Sequence, residues 1–249
     1  MSFEKGRGFL KFCYPKDENN NRLNPLGSSD QSKGIEMPEK EKSFRVEDLI
    51  FLPNPKDTKL VKNDFFAIVN ERQSRRQFTD ESIELSELSF ILWAMQGLRL
   101  DNNTTGFQRT VPSAGARNPF DTYFYAYKVE GLPVGLYRYV WSRHAIIAVA
   151  LSEEQLSGLA QDWSKGALSV FMVAVPYRAE WRYVEYAHKF CALDAGHIGQ
   201  NGYLAAEALN LACYSIGGYS QEDTDALLGI DGDNEFTCYI ETFGKYENK

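Results

Sequence analysis

The chain has 249 residues, of which 43% are hydrophobic and 14% aromatic, so it can bury a sizeable core. Its 27 lysine and arginine residues stand against 34 aspartate and glutamate residues, a net charge of −7, which gives no general attraction to nucleic acid or to an anionic membrane surface. The start of the chain carries no apolar run of signal-peptide length, and no stretch approaches the ~20 apolar residues that cross a bilayer, so we expect a cytoplasmic protein.

The first part of the chain predicts an arm without regular structure. From Asp17 to Ser43 the sequence is rich in Asn, Ser, Lys, Glu and Pro and shows neither a helical nor a strand period. The following stretch, Phe44 to Pro53, has enough apolar side chains to hold the arm against its own body or against a partner subunit. We therefore divide the chain into an irregular N-terminal arm, residues 1–60, and one folded domain, residues 61–249.

The domain begins with helical patterns. Phe65 to Val69 predicts a short helix, and apolar residues at steps of three and four predict another from Leu85 to Met95, with Ser86 as a possible cap and Gly97 as its end. A loop is expected from Arg99 to Ala116.

The rest of the domain mixes strands and helices without regular alternation. Runs of alternating or continuous apolar residues predict strands at 123–127, 136–140, 145–150, 168–175, 211–216 and 236–243, and helical periods predict helices at 152–163, 178–190, 194–210 and 222–228. This order favours an α+β fold with a mixed β-sheet flanked by helices over a doubly wound parallel sheet.

Common catalytic fingerprints are absent from the sequence. There is no glycine-rich nucleotide motif, His-Glu-x-x-His or Gly-x-Ser-x-Gly. The three histidines, His144, His188 and His197, are too dispersed for a metal site, and the four cysteines form no Cys-x-x-Cys pair. We therefore predict neither a metal centre nor a disulfide framework.

The pattern Arg72-x-Ser74-x-Arg76 is the first candidate binding motif. In an extended segment, residues two apart point to the same side, so two guanidinium groups and a hydroxyl would face one ligand. Guanidinium forks and hydroxyls suit a phosphate. An exposed basic segment is the other interpretation, and spacing alone favours it.

Two further segments are candidates for contact with a flat ligand. Pro112-Ser113-Ala114-Gly115 contains small residues that would let the backbone approach a ring closely. Gly217-Gly218 follows a buried strand and could present peptide N–H groups to a ligand. An ordinary loop and a plain turn are the alternatives, and they stay open on this pattern alone.

Taken in order, these segments resemble the nitroreductase superfamily, and most closely its branch of SagB-type, or azoline, dehydrogenases. The resemblance runs from about Pro53 to Lys245. It rests on Ile-Val-Asn-Glu-Arg-Gln-Ser-Arg-Arg-Gln-Phe, Arg-Thr-Val-Pro-Ser-Ala-Gly-Ala, Gly-Leu-Tyr-Arg-Tyr, Leu-Asp-Ala-Gly-His-Ile-Gly-Gln-Asn and a terminal Phe-Gly-Lys.

The resemblance implies an FMN held non-covalently at the interface of an intertwined homodimer. It assigns Arg72, Gln73, Ser74 and Arg76 to the FMN phosphate and pyrimidine edge, and Lys245 to the phosphate. It also places Pro112, Ser113, Ala114 and Gly115 beside the flavin ring of the other subunit, and Gly217 and Gly218 near its reactive nitrogen.

The implied activity is transfer of hydride from NADH or NADPH to a small acceptor, such as a nitroaromatic or a quinone, by an alternating mechanism. In azoline dehydrogenases a Lys-Tyr pair precedes the Asp-Ala-Gly-His helix and acts in proton removal, and the nearest match here is Arg182-Tyr183. Arginine is a poor base because its pKa exceeds about 12. The resemblance therefore leaves Tyr183 as the one candidate catalytic side chain. A SagB-type dehydrogenase, a flavin destructase and a flavin-storage protein are the alternatives.

Overall fold

A seven-stranded sheet forms the middle of the computed structural model, which describes residues 4–12, 18–19, 25–99 and 108–247. Residues 17, 20–24 and 100–107, where part of the irregular arm and part of the loop were expected, lie outside the described residues. The strands are β1 Ile50–Phe51, β2 Phe120–Ala126, β3 Gly135–Val140, β4 Ala145–Ala148, β5 Leu168–Ala174, β6 Ala212–Ile216 and β7 Phe236–Gly244.

The strand order is β1-β4-β3-β2-β5-β7-β6, and each of the described pairings is antiparallel. The α+β class is confirmed, but the expectation of mixed strand directions was wrong for this sheet. A parallel pair needs a long crossover, whereas β2, β3 and β4 follow one another through short hairpins. The parallel contact that does occur is an isolated bridge between Ile83 and Val129.

Helices cover both faces of the sheet. The helices are α1 Glu4–Lys11, α2 Phe65–Glu71, α3 Leu85–Gln96, α4 Glu153–Trp163, α5 Tyr177–Tyr183, α6 Ala187–Ala208 and α7 Gln221–Leu228. On one face α3 and α6 pack on side chains such as Phe124 and Phe243. On the other, α4 and α7 pack on Tyr125 and Phe171. Strands β2 and β5 are therefore buried along their whole length.

Most helix ends follow local sequence signals. Ser152 caps α4 by accepting from the Gln155 N–H in a capping box, as its sequence favours. Helix α3 is capped by Glu84 with Glu87, so its cap lies two residues before Ser86, the serine that we expected. Gly97 ends it as predicted.

One helix boundary was misplaced. The two helices expected at 178–190 and 194–210 are α5 and a longer α6, and the break between them falls at residues 184–186. Helix α5 ends because Val184 takes a left-handed conformation with φ 46°. β-Branched residues rarely adopt this conformation, so the sequence does not predict the break. Residues 191–193 are ordinary helix-forming residues, so α6 runs through them.

The N-terminal arm lies on the body of its own chain. Guanidinium N–H groups of Arg138 donate to the carbonyls of Lys42 and Ser43, and Trp181 donates to the carbonyl of Ile35 over 2.9 Å. Strand β1 pairs with β4. The arm is also less irregular than expected, because residues 4–11 form α1. Among the helices that the structure describes, none is long and apolar enough to span a membrane.

Candidate functional site

The first candidate motif lies in an extended segment along the edge of the sheet. Residues 73–80, with Tyr246 and Glu247, line a groove of about 870 Å³. The Arg75 N–H donates to the carbonyl of Cys213 in the edge strand β6 over 3.0 Å. This contact fixes the backbone of the segment against the sheet, and Ser74 and Arg76 of the motif are among the residues that line the groove.

Aromatic rings support the predicted grip residues. The Arg72 guanidinium carbon lies 5.1 Å from the centre of the Tyr203 ring, and the Ser74 and Tyr203 hydroxyl oxygens are 2.7 Å apart. The Arg76 guanidinium lies 5.6 Å from the Tyr214 ring. We call Arg72, Ser74 and Arg76 the grip residues.

The grip arginines differ from their neighbour Arg75 in their electrostatic surroundings. Arg75 donates to the buried Glu207 carboxylate over 2.6 Å. In the described part of the chain, no carboxylate pairs with Arg72 or Arg76. Their guanidinium groups therefore keep donors for an external anion, as phosphate recognition requires.

A hydrogen-bonded path connects Ser74 to the interior of the sheet. The Ser215 N–H donates to the Tyr203 hydroxyl over 3.0 Å, and the Ser215 hydroxyl donates to the Glu241 carboxyl group over 2.7 Å. Glu241 is fully buried, and burial raises its pKa well above the ordinary value. Tyr203 and Glu241 were not among the residues that sequence patterns indicated.

The same path places Gly217 and Gly218 near the grip residues, because they follow Ser215 at the end of β6. Both glycines are exposed. A Cβ atom at either position would meet no atom within 4 Å, and neither glycine has a left-handed φ. Neither packing nor backbone conformation within the described chain therefore requires glycine here.

Lys245 lies beside the grip segment through its backbone, since its carbonyl accepts from the Thr79 N–H over 2.9 Å. Its ammonium group, however, is 2.6 Å from the Glu87 carboxylate at the start of α3. The structure thus gives this lysine a carboxylate partner. An exchange of partners would be needed for it to reach a phosphate.

The second candidate segment is tied to α6. The Ser113 hydroxyl donates to Asp194 over 2.5 Å and accepts from the Asn118 N–H over 2.8 Å, and the Ala114 N–H points to the same carboxylate over 3.3 Å. Asp194 is buried, and burial raises its pKa. The hydroxyl of Ser113 is therefore used within the loop, while Pro112 and Gly115 are exposed.

Tyr183 belongs to this second group. A Cβ at Gly115, whose φ is +55°, would lie 2.2 Å from the Tyr183 hydroxyl, so the close approach of the two residues requires glycine. Tyr183 is the last residue of α5, directly before the left-handed Val184. We call Pro112 to Gly115 together with Tyr183 the loop group.

The grip residues and the loop group lie on different faces of α6. Asp194 contacts the loop group, and Tyr203 contacts the grip residues. The nine residues from Asp194 to Tyr203 correspond to about 14 Å along the helix axis and to about two and a half turns. Side chains half a turn apart point in opposite directions. One chain therefore brings the candidates together in two groups, but it does not bring the two groups to one pocket.

An exposed apolar groove lies between α2, α3 and α6. It has a volume of about 830 Å³, with Phe65, Ile68, Phe90, Trp93 and Leu204 in its wall. Phe65 is 71% exposed and its neighbour Phe66 78%, which is unusual for large apolar side chains. In the same region, Asn201 of α6 donates to the Ala94 carbonyl of α3 over 2.7 Å, so its amide is used in the packing of these two helices.

Comparison with known proteins gives a consistent result. A model of the Nitroreductase family matches residues 69–245. A protein of Methanocaldococcus jannaschii that is provisionally named a nitroreductase is 32% identical over 169 residues, covering 66% of this chain and 83% of that one.

Two solved structures extend the comparison to the fold. One, from Ralstonia eutropha JMP134 and provisionally named a nitroreductase, has a TM-score of 0.67 at 22% identity and covers 81% of this chain and 91% of that one. The other is a chain of the E. coli microcin synthetase McbBCD complex, with a TM-score of 0.61 at 15% identity, covering 98% of this chain and 92% of that one. The second likeness thus extends over the N-terminal arm.

Proposed function

The chain belongs to the nitroreductase family, and from that premise we propose that it is an FMN-dependent oxidoreductase that passes hydride from NADH or NADPH to a small acceptor, such as a nitroaromatic or a quinone. Family membership supports oxidoreductase activity in general. The observation that carries the finer proposal is the set of grip residues. Ser74 and Arg76 line one groove, Arg72 rests on the same tyrosine that Ser74 contacts, and neither arginine has a carboxylate partner among the described residues.

The grip residues fit the phosphate of FMN by their chemistry. Arg72 and Arg76 offer planar sets of N–H donors, Ser74 offers a hydroxyl, and phosphate binds such donors with strong, charge-assisted hydrogen bonds. Gln73 lines the same groove and offers an amide to the pyrimidine edge. When bound, FMN would supply the two-electron chemistry, while the protein supplies binding, orientation and electrostatics.

The opposite faces of α6 support a site shared between two copies of the chain. If both groups contact the same flavin, a flavin held by the grip residues of one chain must contact the loop group of a second chain. The exposed apolar groove with Phe65 and Phe66 beside it is a suitable surface for that contact, since large exposed apolar patches commonly mark interfaces. We therefore propose an intertwined homodimer.

Within that site, each segment has a task that follows from its geometry. Gly217 and Gly218 leave open space where a ring could approach the backbone. Pro112 to Gly115 offer small side chains and, through Asp194, a fixed backbone. Lys245 would add positive charge near the phosphate on release from Glu87.

The first test is an absorbance spectrum of the purified protein, followed during addition of NADH or NADPH and then of menadione or a nitroaromatic. We expect flavin bands that bleach with the nucleotide and recover with the acceptor. Bands that respond to neither nucleotide would favour a flavin store, and loss of the flavin itself with oxygen would favour a flavin destructase. A colourless protein that binds no added FMN would contradict the proposal.

A SagB-type dehydrogenase that oxidises azoline rings in a modified peptide is the second candidate. The contact between Tyr183 and Gly115 favours it, because a phenol then stands beside the loop proposed to face the flavin. The test is incubation of the FMN-loaded protein with an azoline-containing peptide. Loss of two hydrogens from the peptide by mass spectrometry, with no nicotinamide nucleotide oxidised, would favour this candidate over the first.

A further inference from the structure

Two arginines lie beside the loop group. Arg117 follows the loop directly, and its N–H donates to the Ala114 carbonyl over 3.2 Å. Its guanidinium lies 5.2 Å from the Trp181 ring, and that of Arg182 lies 5.4 Å from the Tyr183 ring. We call Arg117 and Arg182 the arginine pair.

Arg117 is buried, but its guanidinium group has few hydrogen-bond partners. It is 7% exposed, and its Nε is buried without a hydrogen-bond partner. Its terminal nitrogen contacts the Met37 sulfur over 3.1 Å, and a thioether is a weak acceptor. Buried polar groups normally have partners, so an orphaned guanidinium nitrogen needs an explanation.

The charge of the pair has no acidic partner within the described residues. Two acids of this region have other partners, Asp194 with Ser113 and the loop backbone and Glu180 with His188 over 2.7 Å. Burial and then repulsion by Arg182 lower the pKa of Arg117. Two like charges held together without a counter-ion favour the entry of an anion.

We infer that Arg117 and Arg182 form an oxyanion subsite beside Tyr183, which recognises a carboxylate or phosphate on a molecule bound against Pro112 to Gly115. The oxyanion would replace the Met37 sulfur as the acceptor of Arg117. This inference rests on the proposed function, and it specifies the substrate class: an acceptor that carries a negative charge, or the nucleotide through its phosphate.

The experiment compares two acceptors that differ in charge, 4-nitrobenzoate and 4-nitrobenzamide, in the FMN-loaded protein. Arg182→Gln is the test variant because Arg182 is partly exposed and its loss leaves the core intact. Arg143→Gln, an exposed arginine in the turn between β3 and β4, removes the same charge elsewhere. Charge-assisted hydrogen bonds predict that the wild type prefers the benzoate tenfold or more in kcat/KM.

We expect Arg182→Gln to abolish that preference through a higher KM for the benzoate, with the benzamide unchanged and with Arg143→Gln like the wild type. A second outcome would assign the oxyanion to the nucleotide. In that case the wild type shows no preference for the benzoate, and Arg182→Gln raises the KM for NADPH but not that for uncharged 1-benzyl-1,4-dihydronicotinamide. Unchanged values for all four molecules in Arg182→Gln would overturn the subsite.

A binding measurement separates this inference from the proposed function. Calorimetric titration of the protein with 4-nitrobenzoate and with 4-nitrobenzamide reports the subsite even if neither compound is reduced. Tighter binding of the benzoate that is lost in Arg182→Gln supports the subsite, and equal affinity of wild type and variant for the benzoate, for NADH and for NADPH contradicts it. Absence of turnover with every acceptor in the wild type would count against the proposed function alone.

Discussion

The grip residues and the loop group solve different physical problems with different means. The grip is an extended segment whose charged side chains rest on tyrosine rings and keep their hydrogen-bond donors open. The loop group has few polar side chains, and left-handed φ values occur at Gly115, Ala116 and Asn118. Such strained loops persist only where the surroundings hold them, and here a buried carboxylate, Asp194, does so. In the site that we propose, the first group recognises charge and the second offers a close, fixed surface.

A single helix organises both groups, and in the shared site that we propose this arrangement is the reason why neither group suffices alone. Tyr203 supports the grip and Asp194 supports the loop, on opposite faces of α6. The two residues lie about 14 Å apart along the helix axis, as the helical rise requires. If this comparison is correct, a chain with a substitution in the grip and a chain with a substitution in the loop group should together form one intact site.

The mixed dimer is the prediction with the largest expected effect. Arg72→Gln/Arg76→Gln removes the grip, and Gly115→Val blocks the loop, because Val at this φ would collide with the Tyr183 hydroxyl. We expect each homodimer to be inactive. A heterodimer isolated through two different affinity tags should recover about half of the wild-type turnover, since one of its two sites is then intact.

The control for this prediction is a heterodimer of wild type with each variant, which should keep about half of the sites in either case. No recovery in the doubly tagged heterodimer would mean that the grip and the loop of one chain serve the same flavin. That result would contradict the shared site while leaving FMN dependence intact.

The second prediction concerns flavin affinity in the grip variant. Loss of two charge-assisted contacts should weaken FMN binding by at least about a hundredfold, and should leave riboflavin, which lacks the phosphate, unchanged. Quenching of flavin fluorescence measures both constants. Gly115→Val is the matched control from the loop group, and it should weaken FMN and riboflavin by the same factor. Equal losses of both ligands in the grip variant would show that Arg72 and Arg76 do not hold the phosphate.

The comparison also shows which features a sequence can predict. The alternation of Arg72, Ser74 and Arg76 predicts side chains that share a direction in an extended segment, and Arg72 and Ser74 do meet the same tyrosine. The capping box at Ser152 and the apolar runs of β2 and β5 likewise encode local geometry. In each case the information lies within a few residues.

What the sequence did not reveal is the pairing of distant residues. Ser113 meets Asp194 from 81 positions away, and Ser74 meets Tyr203 from 129 positions away. Such contacts depend on strand order and direction, for which local periods carry little information. The break at Val184 was missed for another reason, since tertiary contacts hold that residue in a conformation that its own side chain disfavours.

The third prediction tests the buried acid behind the grip. Because burial raises the pKa of Glu241, the folded protein keeps this proton at pH values where the unfolded chain, with an ordinary value of 4.5, has released it. The free energy of unfolding must therefore fall as pH rises above that value, by at most about 1.4 kcal/mol per pH unit. Glu241→Gln cannot titrate, so its stability relative to the wild type should grow with pH.

Thermal unfolding of both proteins between pH 4.5 and 8 measures the effect. Glu130→Gln, an exposed residue in the turn after β2, is the control and should show a constant difference from the wild type. A constant difference for Glu241→Gln as well would mean that the carboxyl group ionises normally in the folded state.

The smallest expected effect comes from the tyrosine that links this acid to the grip. Tyr203→Phe keeps the ring under Arg72 but removes the hydroxyl that contacts Ser74 and the Ser215 N–H. A hydrogen bond of this kind contributes about 1 kcal/mol, so FMN affinity should fall about fivefold with riboflavin unchanged. Tyr214→Phe keeps the ring under Arg76 and should change neither. If Tyr203→Phe instead weakens riboflavin as much as FMN, the hydroxyl supports the fold of the edge strand and does not orient the grip.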